Sequence, residues 1–262
     1  ELLRNMIIEG VDSESDRLHP LRSMKIAVDA GNGVGGFYAY DVLAPLGADI
    51  SGSVYLEPDG NFPNHAPNPE NAEAMDCLSK AVVSSHSDLG VIFDTDVDRA
   101  ACVGKDGFEI NRNRLVALAS EIALEGCPGG TIVTDSVTSD GLAAFIAAKG
   151  GKHLRFKRGY RNVINKQLEL CAEGVKCPLA METSGHAAFA ENYFLDDGAY
   201  LITKLIIKAA ALSERGLALE SVSYTHLRLP SSALAGAPAP TTTRAYASTP
   251  TRAAATAGSC CG

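Results

Sequence analysis

The chain has 262 residues, with 23 basic against 31 acidic side chains and a net charge of −8. Its 46% hydrophobic and 21% charged residues fit a globular protein and argue against a disordered one. The acidic balance argues against non-specific nucleic-acid binding, which needs a surplus of cations, and no apolar run reaches the ~18 residues of a membrane span.

Residues 1–10 lack the basic start and long apolar run of a secretory signal. The seven cysteines, at 77, 102, 127, 171, 177, 260 and 261, are odd in number and have no paired spacing. Neither a disulfide framework nor a zinc site is therefore expected. Reduced thiols in an intracellular protein, cytoplasmic or in an organellar stroma, are the expectation.

Strands and helices alternate from residue 24 onward. Residues 24–30 read as a short apolar strand ending in the turn Gly31-Asn32-Gly33. A helix is expected over 36–46, stopping at Gly47, and a second strand over 49–57. Residues 58–69 carry four prolines, which exclude a helix or a sheet interior. Residues 70–84 then read as helix, 88–93 as a buried strand and 100–110 as a hairpin around Lys105-Asp106-Gly107.

A second series follows, with helix over 113–125 and strand over 131–136. Next come a helix over 139–149, capped by Ser139 and closed by Gly150, and a strand over 153–157. Helix is expected over 162–169, strand over 178–182 and a long helix over 198–215. Strands separated by helices of 10–15 residues imply two three-layer α/β/α units with mixed, largely parallel sheets, over 21–110 and 111–222. From residue 223, 29 of 40 residues are Ala, Thr, Ser, Pro or Gly, with three arginines and no acid. This tail cannot bury enough surface to order itself, and its abrupt loss of pattern suits translated non-coding sequence.

The strongest local motif is VIFDTDVDR, where a buried strand presents Asp94, Asp96 and Asp98 and then Arg99. Open α/β sheets place ligands at strand ends. Three carboxylates this close repel one another, and a hard divalent cation with oxygen ligands compensates them directly. An EF-hand needs Gly and Glu at its sixth and twelfth positions, where Arg99 and Lys105 stand. A phosphatase of haloacid-dehalogenase type also places Asp-x-Asp after a strand, and stays open as an alternative with Asp94 as nucleophile.

Other patterns are less specific. GNGVGG at 31–36 matches a dinucleotide fingerprint, but such glycines also serve ordinary strand–helix turns. Ser84-Ser85-His86-Ser87 lies at the entry end of its strand and reads as a polar helix stop. HLRFKRGYRN places Arg155, Lys157, Arg158 and Arg161 around Gly159 and Tyr160, an anion trap in an acidic chain. METSGHAAF ends another strand with Glu182, Ser184 and His186. Glu and Ser bond sugar hydroxyls, and His is suited to proton transfer near pH 7. Asp196-Asp197-Gly198 opens the long helix, where capping alone accounts for the acids.

Taken together, these motifs resemble the α-D-phosphohexomutase family, which includes phosphoglucomutases and phosphomannomutases. VDAGNGVGG and PDGNFPNHAPNPEN look like its second domain, and FDTDVDRA like its metal loop, usually Asp-Gly-Asp-Gly-Asp-Arg. KRGYRNVI and ETSGHAAF look like the third domain's basic and sugar-binding loops, and LDDGAY like the segment that follows. The resemblance implies Mg²⁺ on Asp94, Asp96 and Asp98, with Arg99 near the transferring phosphoryl group. It implies Glu182, Ser184, Arg158 and Tyr160 as contacts to a hexose phosphate, and His186 and Lys157 in proton transfer and substrate contact. The implied activity is an intramolecular phosphotransferase, an isomerase interconverting hexose 1- and 6-phosphates through a phosphoserine and a bisphosphate. Thr95, Val97 and Met181 stand where the family pattern has glycine. Neither a Thr-Ala-Ser-His-Asn-Pro-like segment, from the family's first domain, nor an Arg-x-Ser-Gly-Thr clamp, from its fourth, occurs in the chain. The expectation is a two-domain fragment, inactive alone, with 1–20 a linker from a missing first domain. A sugar-phosphate binding module without chemistry is the non-enzymatic alternative.

Overall fold

The computed structural model describes residues 1–14 and 16–219; the tail from 223 lies outside them. Among the described residues eight strands form two four-stranded sheets. The first contains β1 (Ile26–Asp29), β2 (Leu89–Phe93), β3 (Ala100–Gly104) and β4 (Glu109–Ile110), in that order. β1 and β2 run parallel, and β3 and β4 return antiparallel. The second contains β5 (Thr131–Thr134), β6 (Lys152–Arg155), β7 (Leu179–Met181) and β8 (Ala187–Phe189), ordered β6-β5-β7-β8. β6, β5 and β7 are parallel, and β8 is antiparallel. The helices are α1 (Leu2–Val11), α2 (Ala72–Ser85), α3 (Asn113–Gly126), α4 (Asp140–Ala148), α5 (Tyr160–Ala172) and α6 (Gly198–Ser213). This is the mixed α/β architecture that the alternation implied. Residues 187–189, within the loop that the motif suggests, instead form β8 and close a hairpin with β7.

The strand interiors explain the layering. Every residue of β1, β2, β3, β5, β7 and β8 is buried, as sheets covered on both faces require. α6 covers much of this surface and packs against β3, α1 and α3. Its Thr203 hydroxyl lies 2.8 Å from that of Tyr38 in the fully buried interior. One apolar core therefore runs continuously beneath both sheets, with a small separate cluster of Val133, Val163, Cys177 and Ala180. No disulfide joins the described cysteines.

Three segments depart from the sequence expectations. Residues 49–57 form no strand, only isolated parallel bridges Lys25↔Asp49 and Asp29↔Val54. Between these bridges the chain turns, with Ser53 N donating to the Ile50 carbonyl at 2.9 Å. The Ser53 hydroxyl accepts the Val28 N–H at 3.0 Å where a strand would offer a carbonyl. The helix expected over 36–46 is a π-helical turn, Tyr38–Leu43, followed by a 3₁₀ turn, Ala44–Leu46. Pro45 lacks the N–H that a regular α-helix would use there. Gly47 ends the segment at φ 89°, and a Cβ on Gly36 would lie 2.1 Å from the Leu56 carbonyl oxygen.

The third departure is α1, within the segment read as a linker. Leu3, Ile7 and Val11 recur every fourth residue and pack on the core, with Ile7 fully buried. The sequence signal was weak because the helix is short and its N-cap, Glu1, makes no side-chain cap. Ile7→Ala should therefore destabilise the chain by about 2–4 kcal/mol in a denaturant titration. A change below about 0.5 kcal/mol, as for a surface site, would mean that α1 is not docked in solution.

Candidate functional site

The site forms where equivalent hairpins leave the two sheets. β2 turns into β3 through residues 94–99, and β7 into β8 through residues 182–186. The two turns abut, with Arg99 and His186 forming an isolated antiparallel bridge. Gly185 makes this approach possible at φ 103°, because a Cβ there would lie 2.7 Å from the Ala100 carbonyl oxygen. Sequence spacing placed each loop at a strand end; the abutment is a tertiary fact.

In the first turn Asp94 is buried, Asp98 half-buried and Asp96 exposed. One oxygen from each lies within 4.8 Å of the other two. Arg99 engages both oxygens of Asp94, its backbone N donating to Oδ1 at 3.1 Å and its Nε to Oδ2 at 2.9 Å. Burial and then the Asp94 hydrogen bond and charge push the Asp98 pKa up to about 6, although His186 opposes this. A carboxylate set so crowded fits a hard divalent cation. The doubly engaged Asp94 is poorly placed as a phosphatase nucleophile. Val97 sits at φ 72° with its side chain buried.

In the second turn Glu182 is buried and accepts the Gly159 N–H on Oε1 at 2.6 Å. Burial raises its pKa; the Gly159 N–H opposes this, and the charge of Asp135 adds to it. The Ser184 hydroxyl is buried and has no hydrogen-bond partner among the described residues. Burying such a group is costly unless a ligand or solvent pairs with it. His186 Nδ1 lies 2.7 Å from Asp196 Oδ2 and 3.8 Å from Asp98 Oδ1. Burial lowers the His186 pKa, but the Asp196 hydrogen bond and charge, with Asp98, outweigh it and raise it. The Tyr160 ring stacks on His186 at 4.9 Å.

The basic loop is only partly gathered in. Arg158 reaches Glu70 of the first half at 3.7 Å. Lys157 is exposed, its ammonium 5.8 Å from the Phe156 ring centroid, and makes no ion pair among the described residues. Arg155 pairs instead with Asp140, and Arg161 lies against Tyr160.

Two site residues escaped the sequence reading. Asp197 is the helix cap, accepting from Tyr200 N at 2.9 Å, whereas Asp196 serves His186 and the Ala187 N–H. The signal was available, since one cap needs only one acid. Asp135 was invisible by contrast. It lies fully buried at the end of β5 and accepts both the backbone N–H and the hydroxyl of Thr183, behind the second turn.

Residues 5–107 match the phosphoglucomutase/phosphomannomutase α/β/α domain II, and residues 111–223 match domain III. Over 192 residues the chain is 36% identical to a phosphomannomutase/phosphoglucomutase of Pseudomonas aeruginosa, covering 73% of this chain and 40% of that protein. A crystal structure of a phosphoglucomutase/phosphomannomutase family protein from Burkholderia thailandensis superposes with a TM-score of 0.67 at 30% identity. That match covers 87% of this chain and 46% of that one. An Aspergillus fumigatus N-acetylphosphoglucosamine mutase, solved in complex with GlcNAc-6P and magnesium, shares the fold at 14% identity and a TM-score of 0.56, covering 85% of this chain and 52% of that one. The fold and the paired loops thus define a phosphohexomutase class of protein. The chain belongs to the phosphoglucomutase/phosphomannomutase family, and spans about two fifths of the relative from P. aeruginosa.

The His186–Asp196 contact yields a direct expectation. Asp196→Asn removes the charge that raises the imidazole pKa, so the titration midpoint of His186 should fall, read by NMR. An unchanged midpoint would show that Asp196 does not govern the ring.

Proposed function

We propose that this chain carries the metal loop and the sugar loop of a phosphohexomutase that interconverts hexose 1- and 6-phosphates. The observation that carries this reading is the abutment of the aspartate turn and the Glu182–His186 turn through the Arg99↔His186 bridge. In this reading phosphoryl transfer runs through a phosphoserine and a bisphosphorylated sugar. Those parts of the reaction need a serine segment that does not occur in this sequence.

Asp94, Asp96 and Asp98 would hold Mg²⁺; their all-oxygen donor set suits it. When bound, the ion supplies positive charge against the transferring phosphoryl oxygens. Arg99 adds a guanidinium at the same place. Glu182 and Ser184 take the sugar hydroxyls, the buried Ser184 Oγ having no hydrogen-bond partner among the described residues. With Nδ1 donating to Asp196, the neutral ring of His186 keeps Nε2 to accept a substrate proton. Lys157, Arg158 and Tyr160 contact the hexose phosphate, and Lys157 must swing in to do so.

The metal assignment is testable by calorimetry. Asp96→Asn should weaken Mg²⁺ binding by about tenfold or more, the loss of one charged ligand. Wild-type affinity should fall as pH drops through about 6, where a proton on Asp98 competes with the ion. Unchanged affinity in the variant would remove the aspartate turn as the metal site.

The sugar assignment has its own test. The chain should bind glucose 1-phosphate, and Glu182→Gln should weaken this by about 10- to 100-fold, the range for a lost charged hydrogen bond. The chain alone should not turn the sugar over. Steady conversion to the 6-phosphate would refute the need for a separate serine segment; binding by the variant as tight as wild type would refute the role of Glu182.

A further inference from the structure

The Pro/Asn-rich loop, residues 58–69, has no role in the reading above, yet it touches the site. Asn68 Oδ1 accepts from Arg99 Nη1 at 3.2 Å and from the Glu70 backbone N at 2.9 Å. Next along the chain, the Pro69 carbonyl accepts from Asn111 Nδ2 at 2.8 Å. With Nε on Asp94 and Nη1 on Asn68, two of the three guanidinium nitrogens of Arg99 are held. That fixes the plane of the group rather than only its charge.

Three residues before Asn68, the loop is pinned. His65 is buried, with Nδ1 3.0 Å from the Ala66 carbonyl oxygen and Nε2 2.9 Å from Asp29 Oδ2. The Ala66 carbonyl and an ionised Asp29 both accept, so opposite them both ring nitrogens donate and the pair is imidazolium with carboxylate. Asp29, fully buried at the end of β1, takes the Gly31 N–H on Oδ1 at 2.8 Å. The ring is also faced by Tyr55, edge-on at 5.4 Å, and by Glu73 and Cys77 of α2. Its pKa is raised by the Asp29 hydrogen bond first, against burial, with help from Ala66 and Glu73. Asp29, His65 and Cys77 could also offer donors to a metal. The 2.9 Å between Nε2 and the carboxylate is shorter than the roughly 3.3 Å that separates ligands around tetrahedral zinc. A direct ion pair fits better.

We propose that Asn68 is the positioning residue for the Arg99 guanidinium, and that the buried His65–Asp29 ion pair anchors the loop that presents it. Its consequence for substrate rests on Arg99 meeting the phosphoryl group, as read above. Because the folded pKa of His65 is raised, the stabilisation from the pair is complete below about 6.5 and is lost as pH rises through the folded value. Asp29→Asn should therefore flatten the fall of melting temperature on the alkaline side.

The test uses ¹⁵N NMR on the whole chain, with glucose 1-phosphate titrations beside it. Both His65 ring nitrogens should keep their protons to higher pH in the wild type than in Asp29→Asn. Exchange between the two Nη resonances of Arg99 should quicken at least tenfold in Asn68→Ala and return to within twofold of wild type in Asn68→Asp, which keeps the acceptor. Glucose 1-phosphate affinity should fall about tenfold in Asn68→Ala, as in Arg99→Gln, and recover in Asn68→Asp. A His65 that loses its proton no later in the wild type than in Asp29→Asn overturns the anchor, even if Asn68→Ala fails to fold. Unchanged Arg99 exchange in Asn68→Ala overturns the positioning role. Wild type that fails to bind the sugar phosphate while both NMR signatures hold would sink the functional reading and leave the positioning role standing.

Discussion

Asp94, Asp96 and Asp98 bring three carboxylate oxygens within 4.8 Å of one another where the buried strand β2 ends. At that separation two unit charges repel by about 3–4 kcal/mol in the partly screened interior near a surface. The chain compensates them unevenly. Asp94, the most buried, is matched by two hydrogen bonds from Arg99. Asp98 has only distant help, from Arg99 at 3.9 Å and His186 at 3.8 Å, and burial, then Asp94, pushes its pKa up to about 6. Asp96 faces solvent. The remaining negative charge is what a cation at this position would meet.

The repeated plan of the sheets brings the compensating groups within reach. In both sheets the first strand pairs in parallel with the strand that opens a hairpin. The bridged segment 49–54 occupies beside β1 the place that β6 occupies beside β5. Asp94 in one hairpin thus corresponds to Glu182 in the other, each directly after its strand. Asp29, the last residue of β1, and Asp135, directly after β5, are both fully buried. Each spends its carboxylate on a neighbouring loop, Asp29 on His65 and Asp135 on Thr183. α6 packs against β3 of the first half and α3 of the second, and their apolar cores are continuous.

What could be read from residues alone was local. Asp94, Asp96, Asp98 and Arg99 stand together in the chain, and an apolar run names the strand before them. Glu182, Ser184 and His186 were legible for the same reason. The losses came where a tertiary partner decides. The 49–57 segment has the alternation of a strand, yet a serine hydroxyl replaces one ladder carbonyl and the segment kinks. α1 is held by α6 from nearly two hundred residues away, and nothing in its own ten residues states that. Asp196 has the sequence of a helix cap, but Asp197 does the capping and Asp196 holds His186. Asn68 and Asp135 carry no motif, because their function lies in the side chains they hold.

Val97 tests whether the departures from the family's glycine pattern weaken the site. Its φ of 72° is a conformation that costs a β-branched residue about 1–2 kcal/mol. The same residue buries its side chain in the core, which contributes about 1.5–3 kcal/mol for a fully buried valine. The two effects are of similar size and opposite sign, so the turn keeps its shape without glycine. Thr95 needs no such compensation, since its φ is not positive. The oxygens that would hold a cation belong to the side chains of Asp94, Asp96 and Asp98, and lie within 4.8 Å of one another with Thr95 and Val97 between them. Thr95 and Val97 therefore leave the three carboxylates clustered.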